Sequence, residues 1–167
     1  MKILIIGIVA SGKTTLAKEL SKRSGIKHFE IDSIVHNDIN EIKRTAEEQQ
    51  RIIDKINENE DWIIEGVLRK NVYNLLEISD KIIYMDIPVK TRKRRILLRY
   101  IKQKLGIEKC NYKPNLNMLK SMYKWTNEYE KNKAEFEKYL NDYKNKLVVI
   151  SNSKGIKSLL KDYKKGN

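Results

Sequence analysis

The sequence predicts an α/β protein: a three-layer α/β/α domain whose five-stranded, mainly parallel sheet carries a helical lid. Three observations predict it. Short apolar runs rich in Ile and Val recur along the 167 residues, and stretches with apolar residues at helical spacing separate them. Strands alternating with helices imply parallel pairing through right-handed crossovers. The turn between the first run and the first helical stretch reads Gly7-Ile8-Val9-Ala10-Ser11-Gly12-Lys13-Thr14. It fits G-x-x-x-x-G-K-[ST], the phosphate-binding P-loop, in the strand–loop–helix context that the motif requires.

The elements follow in order. Ile3-Leu4-Ile5-Ile6 forms the first strand, over 2–6, and a helix covers 13–24. His28-Phe29-Glu30-Ile31 is a short second strand, followed by a polar loop. Thr45-Ala46-Glu47-Glu48 has the form of a capping box, and the helix it opens reaches 58 with Ile52, Ile53 and Ile56 on its apolar face. Trp62-Ile63-Ile64 is the third strand and 81–85 the fourth, which Pro88 closes. A basic helix spans 90–104, a break runs to Pro114, and a long helix covers 116–143. Leu147-Val148-Val149-Ile150 is the fifth strand, and Ile156, Leu159 and Leu160 belong to a last short helix. Residues 1–167 make one domain, with 90–120 as a basic helical lid.

The loop's residue types define its chemistry. Gly7 and Gly12 permit backbone approaches that a Cβ would obstruct. Backbone N–H groups along Ala10, Ser11 and Gly12 and at the helix start, through Thr15, face phosphates. Lys13 meets the outer phosphates, and the Thr14 hydroxyl ligates Mg²⁺. Ligands of parallel sheets sit at the carboxyl ends of strands, where Asp32, Glu65 and Asp86 also fall. Glu65 ends an apolar strand before Gly66 and is the first choice to hold Mg²⁺ or orient an attacking hydroxyl, with a helix-capping role as the alternative. Asp86 competes but precedes Pro88, which favours a structural turn. Asp32 either contacts the acceptor or caps a helix. His28 and His36 are surface positions. Trp125 and Tyr129, four residues apart, pack the long helix, with stacking on an acceptor base as the alternative.

Bulk properties bound the partners. The formal net charge is +13, unevenly placed. Residues 1–88 hold 13 Lys+Arg against 15 acids, whereas 89–146 hold 17 against 6. Such a segment attracts phosphates, of a nucleotide or of nucleic acid; most of its lysines read as a solvated surface. No run is long and apolar enough to span a membrane, and Met1-Lys2 leads directly into the first strand, so no signal peptide is expected. The one cysteine, Cys110, forms no internal disulfide, which suits the cytoplasm. It is read as incidental, and with His28 it is too little for a zinc site.

Several motifs resemble the adenylate kinase-type nucleotide kinases. These are the P-loop, Glu65-Gly66-Val67-Leu68-Arg69, and Asp86-Ile87-Pro88 followed by Arg95 and Arg99. That family ends its third strand in D-G-F-P-R. The resemblance therefore implies that Glu65 takes the acid position and Arg69 that of the acceptor-binding arginine. It also implies that Arg95 and Arg99 stack on the adenine of ATP and clamp phosphates; their spacing puts both guanidinium groups on one helix face. Over nearly its whole length the chain is most similar to the bacterial topology modulation (FlaR-type) P-loop proteins. The shared marks are Asp32 after the second strand, Trp62-Ile63-Ile64-Glu65-Gly66, and a basic lid continued by Met122-Tyr123-Lys124-Trp125. Two positions depart from the nucleotide kinases. No arginine stands shortly after the second strand, where the chain reads Asp32-Ser33-Ile34-Val35, and Tyr73 stands where the family reads adenine with glutamine. AMP is therefore not the expected acceptor, and Asp32 resembles the acid with which small-molecule kinases grip a hydroxyl.

The expectation is an ATP- and Mg²⁺-dependent phosphotransferase with Lys13, Asp32, Glu65, Arg95 and Arg99 at its centre. The alternatives are a nucleotide-gated nucleic-acid binder and an ATPase without acceptor.

Overall fold

The computed structural model describes residues 1–37, 42–108 and 114–163. Five strands, β1 (Lys2–Ile6), β2 (His28–Glu30), β3 (Trp62–Gly66), β4 (Lys81–Met85) and β5 (Leu147–Ile150), lie in the order β2-β3-β1-β4-β5. Every pairing is parallel. β1 is central: Ile5 is in register with Glu65 of β3 on one side and with Ile83 of β4 on the other.

Alternation along β1 builds both faces of the core. Leu4 and Ile6 join one cluster, and Ile3 and Ile5 join the other. On the first face pack α2 (Ile31–Val35), α3 (Ala46–Asn57), α4 (Asn74–Ile78) and the end of α6 (Leu116–Leu140). On the second pack α1 (Lys13–Ser24) and α7 (Ser153–Asp162). A sheet covered on both faces explains strands that are apolar throughout. α5 (Val89–Lys104) leads away from β4 and packs on α6.

The capping box at Thr45 and Glu48 forms reciprocally and opens α3 as its sequence indicates. Two expectations are corrected. β2 stops at Glu30, so Asp32 stands in the first turn of α2 and not at a strand end. Ile31, Ile34 and Val35 are all buried; only a helical turn brings that spacing onto one face, whereas a strand would alternate it. The segment after β3 also holds unforeseen structure, a 3-10 turn at Lys70–Val72 followed by α4. Val72, Leu75 and Leu76 repeat the same spacing and are fully buried. The long helix ends at Leu140, and Asn141–Tyr143 form a 3-10 turn. Cys110 and part of the lid lie outside the described residues.

Candidate phosphate-binding site

The P-loop joins β1 to α1 at the centre of the sheet's carboxyl edge. Gly12, at the N-cap of α1, has φ +98°. That left-handed conformation strains any residue with a Cβ, and glycine adopts it freely. No side chain caps α1 and its first turn holds no acid, so its N-terminal N–H groups are open to an anion. Ser11 is buried, and its hydroxyl has no partner among the described residues.

Lys13 is 8% exposed and donates to the Ile8 carbonyl at 3.0 Å. Burial lowers its pKa, and the nearby Glu65 and Asp32 carboxylates oppose the shift. The Thr14 hydroxyl donates to Glu65 Oε1 at 2.5 Å. Glu65 is 3% exposed. Burial pushes its carboxyl above the usual carboxylate range, against the Thr14 hydrogen bond and the Lys13 charge. Gly66 follows because α2 packs there: a Cβ would fall 2.6 Å from that of Ile31.

Two clefts meet at this loop. One, of about 440 Å³, is lined by Lys13, Thr14, Asp32, Glu65, Arg69 and Arg99. The other, of about 500 Å³, opens beyond Ala10, Gly12 and Thr15 under Arg95 and Arg99. Arg95 Nη1 donates to the carbonyls of Ser11 (2.9 Å) and Ala10 (3.2 Å), which ties α5 to the loop. Arg99 lines both clefts, and its Nε lies 3.2 Å from Glu108 Oε1. Arg69 enters its cleft from the residue before the 3-10 turn, and its Nη2 pairs with Asp32 Oδ1 at 2.8 Å. Asp32 and Arg69 are the more exposed pair, and Lys13 and Glu65 form the buried floor.

The other candidates sit apart. Asp86 lines neither cleft; its carboxylate pairs with Lys133 of α6 at 2.6 Å. His28 opens β2, and His36 makes a backbone bridge to Lys43. Trp125 is 48% exposed and lines the cleft with Glu65, so it does not pack the long helix. Tyr129 does, with its hydroxyl 2.5 Å from that of Tyr84. Sequence reasoning missed Glu30, which is in register with Glu65 and lines the same cleft, and Glu108, the partner of Arg99. The first is legible as an acid ending a strand; the second carries no local signal.

Among the described residues no cluster of three His, Cys, Asp or Glu could hold a metal ion. The Thr14–Glu65 pair nevertheless suits Mg²⁺, which takes oxygen from one or two carboxylates and hydroxyls and completes its shell with water and phosphate. No helix of the described residues is long and apolar enough to cross a membrane.

The GTP:AMP phosphotransferase of Plasmodium falciparum (isolate 3D7) is 28% identical over 86 residues, 52% of this chain and 38% of that one. The match thus spans well under half the length of that relative. The uncharacterized protein YqaC of Bacillus subtilis (strain 168) is 28% identical over 129 residues, covering 77% of this chain and 72% of YqaC. Among solved structures, shikimate kinase from Acinetobacter baumannii in complex with shikimate superposes with a TM-score of 0.57 at 12% identity, covering 96% of this chain and 88% of that one. Deoxyadenosine kinase from M. mycoides with bound dATP gives 0.52 at 18% identity, over 97% and 98%. At such identities the likeness is one of fold, the parallel α/β/α fold of P-loop kinases. The AAA domain family matches residues 3–113, and with the P-loop and its buried lysine inside that span, the chain belongs to the AAA domain family.

Proposed function

We propose that this protein is an ATP-dependent phosphotransferase of the nucleoside/nucleotide kinase type that acts on a small hydroxyl-bearing acceptor other than AMP. One observation carries the reading. A phosphate loop with a buried lysine and a Thr–Glu pair stands between two clefts, one on the α5 side and one lined by an exposed acid and arginine. A kinase needs that arrangement, with donor and acceptor approaching one phosphoryl group from opposite sides.

In this reading the nucleoside of ATP occupies the cleft under Arg95 and Arg99, and its phosphates lie along residues 7–15. Mg²⁺, held through Thr14 and Glu65, would neutralise charge on the phosphate oxygens. Asp32 accepts a hydrogen bond from the acceptor hydroxyl and orients it. The hydroxyl oxygen bonds to the γ-phosphorus as the bond from phosphorus to the β–γ bridging oxygen breaks. The hydroxyl proton leaves to a neighbouring base or to water, and ADP departs. Lys13, Arg95 and Arg99 stabilise charge on the transferring group; the chemistry is mainly positioning and electrostatics. Arg69 binds a negatively charged part of the acceptor once its pairing with Asp32 is exchanged. Residues 90–120 would act as the lid, and the cytoplasm supplies the ATP. The resemblance to topology modulation proteins is consistent with this site and adds no acceptor to it.

The test is ATP-to-ADP conversion across a panel of nucleosides, nucleoside monophosphates and small hydroxylated metabolites, with Lys13→Ala as control. Stimulated, Lys13-dependent turnover with one acceptor class supports the reading. Turnover unaffected by every acceptor reduces the protein to an ATPase.

A further inference from the structure

A third cleft, of about 710 Å³, lies along α6 beside the catalytic one. The two are continuous, because Ile8, Val67 and Trp125 line both. Its volume falls in the range of small-molecule sites, about 300–1,000 Å³. The lining of the new cleft is periodic. Trp125, Tyr129, Asn132, Phe136 and Tyr139 recur every three or four residues, a single stripe on α6. Tyr73 closes the opposite side, stacked on Tyr139 with ring centroids 5.0 Å apart.

Two features of the stripe face the cleft rather than the core. Trp125 is half-exposed although the rings beyond it are drawn into the core. Asn132 interrupts the aromatic series; it is exposed and makes no hydrogen bond within the described residues. At that exposed position the side chain puts an amide on the cleft wall between two aromatic rings. An amide offers a donor and an acceptor side by side, and that pair matches the hydrogen-bonding edge of a nucleobase. Glu128 and Glu135, one on either side along the helix, also line the cleft and accept from an exocyclic amino group.

Resting on the phosphotransferase reading, we propose that this cleft is the subsite for the acceptor's ring. An amino-bearing nucleobase stacks on Trp125 and Tyr73, Asn132 reads its edge, and the sugar hydroxyl reaches Asp32 and Glu65 through the shared opening. Stacking tolerates any planar ring, so selectivity comes from the amide and the two carboxylates. An apolar chain would fill the same volume but leave the Asn132 amide unpaired, which is unfavourable.

The experiment uses the whole chain with its donor cleft saturated by a non-hydrolysable ATP analogue. Cytidine, adenosine, uridine and free ribose are titrated by calorimetry and by tryptophan fluorescence. Trp62 is fully buried and Trp125 is 48% exposed, so quenching reports on Trp125. Cytidine or adenosine should bind and quench, uridine more weakly, and ribose not at all. Asn132→Leu should weaken the amino-bearing nucleosides about tenfold, as for one lost hydrogen bond. Trp125→Ala should weaken all nucleosides. Both positions are exposed, so the fold should persist, and far-UV circular dichroism checks it. Ribose binding as well as the nucleosides, or affinities unchanged in both variants, overturns the subsite. If a ring-free acceptor drives ATP turnover while no nucleoside binds, the subsite falls and the phosphotransferase stands. If nucleosides bind as described but no acceptor drives turnover, the phosphotransferase falls, and with it the acceptor role of the cleft, which is then a nucleoside-binding site without transfer.

Discussion

Glu65→Gln should move activity and stability in opposite directions. The carboxyl is 3% exposed, accepts from Thr14 at 2.5 Å, and is held above the usual carboxylate range chiefly by burial. Glutamine keeps the shape and an acceptor for Thr14 but no charge. The charged hydrogen bond is worth about 1 kcal/mol more than its neutral counterpart. Keeping an ion out of water costs several kcal/mol even after relaxation. The second effect is larger, as the direction of the pKa displacement states, so the variant is the more stable protein in metal-free buffer. A net gain of about 1 kcal/mol raises the melting midpoint of a chain of this size by about 2–4 °C. The pH dependence has a definite sign. A carboxyl with a raised folded pKa lets the folded state bind the extra proton, so wild type loses stability as pH rises through that range. The two proteins should therefore converge near pH 4 and diverge towards pH 8 when unfolded by urea in EDTA. Turnover should fall about 10²-fold, the upper end of what a lost metal-supporting group costs. A stability difference that does not change with pH, or an unchanged rate, would refute the assignment of Glu65 as a buried ion that serves the site.

Lys13→Ala should abolish ATP turnover and leave the fold intact, since within the described residues the ammonium's hydrogen bond is to the Ile8 carbonyl; near-wild-type turnover in the purified variant would dismiss the site. Arg99→Ala should lower turnover about 10²-fold or more, as for a lost charge-stabilising donor; an unchanged rate returns Arg99 to the solvated surface. ATP with AMP should yield ADP far more slowly than the roughly 10 s⁻¹ of a typical dedicated enzyme, and Asp32→Asn should lose activity on the true acceptor. Fast AMP conversion, or full activity in Asp32→Asn, defeats the corresponding claim. Binding to a DNA duplex should be weak at low salt already; tight binding that falls steeply with salt would favour the nucleic-acid alternative.

The strands and the loop were legible because their signals are local. A continuous apolar run suits a strand buried on both faces, and the glycine–lysine spacing is fixed by backbone geometry. The capping box at Thr45 was legible for the same reason. Asp32 was misplaced because the strand-like alternation Phe29-Glu30-Ile31 continues past the point where the chain turns into α2. The spacing of Ile31, Ile34 and Val35 held the correct answer, but a five-residue helix is too short for periodicity to outweigh the preceding strand. α4 escaped for that reason as well. Trp125 was assigned to packing because aromatic residues four apart usually share a buried face; only the tertiary path of α6 packs Tyr129 against the core and leaves Trp125 half-exposed in the cleft. The pairing of Arg99 with Glu108 depends on the turn after α5, which no spacing rule specifies.

The central position of β1 has a consequence for how the molecule is made. β1 leaves the ribosome before both of its partners, so Lys2 must await Trp62 and Ile3 must await Lys81 before the two edges are paired. No hairpin anywhere in the sheet shortens that delay, since every pairing is parallel. Such topologies fold slowly, because loops must close before their contacts form. Through that interval Ile3-Leu4-Ile5-Ile6 is an unpaired strand with two sticky sides. A nascent chain stalled before Met85 therefore exposes its stickiest segment, and holdase chaperones should engage this protein most strongly at that length.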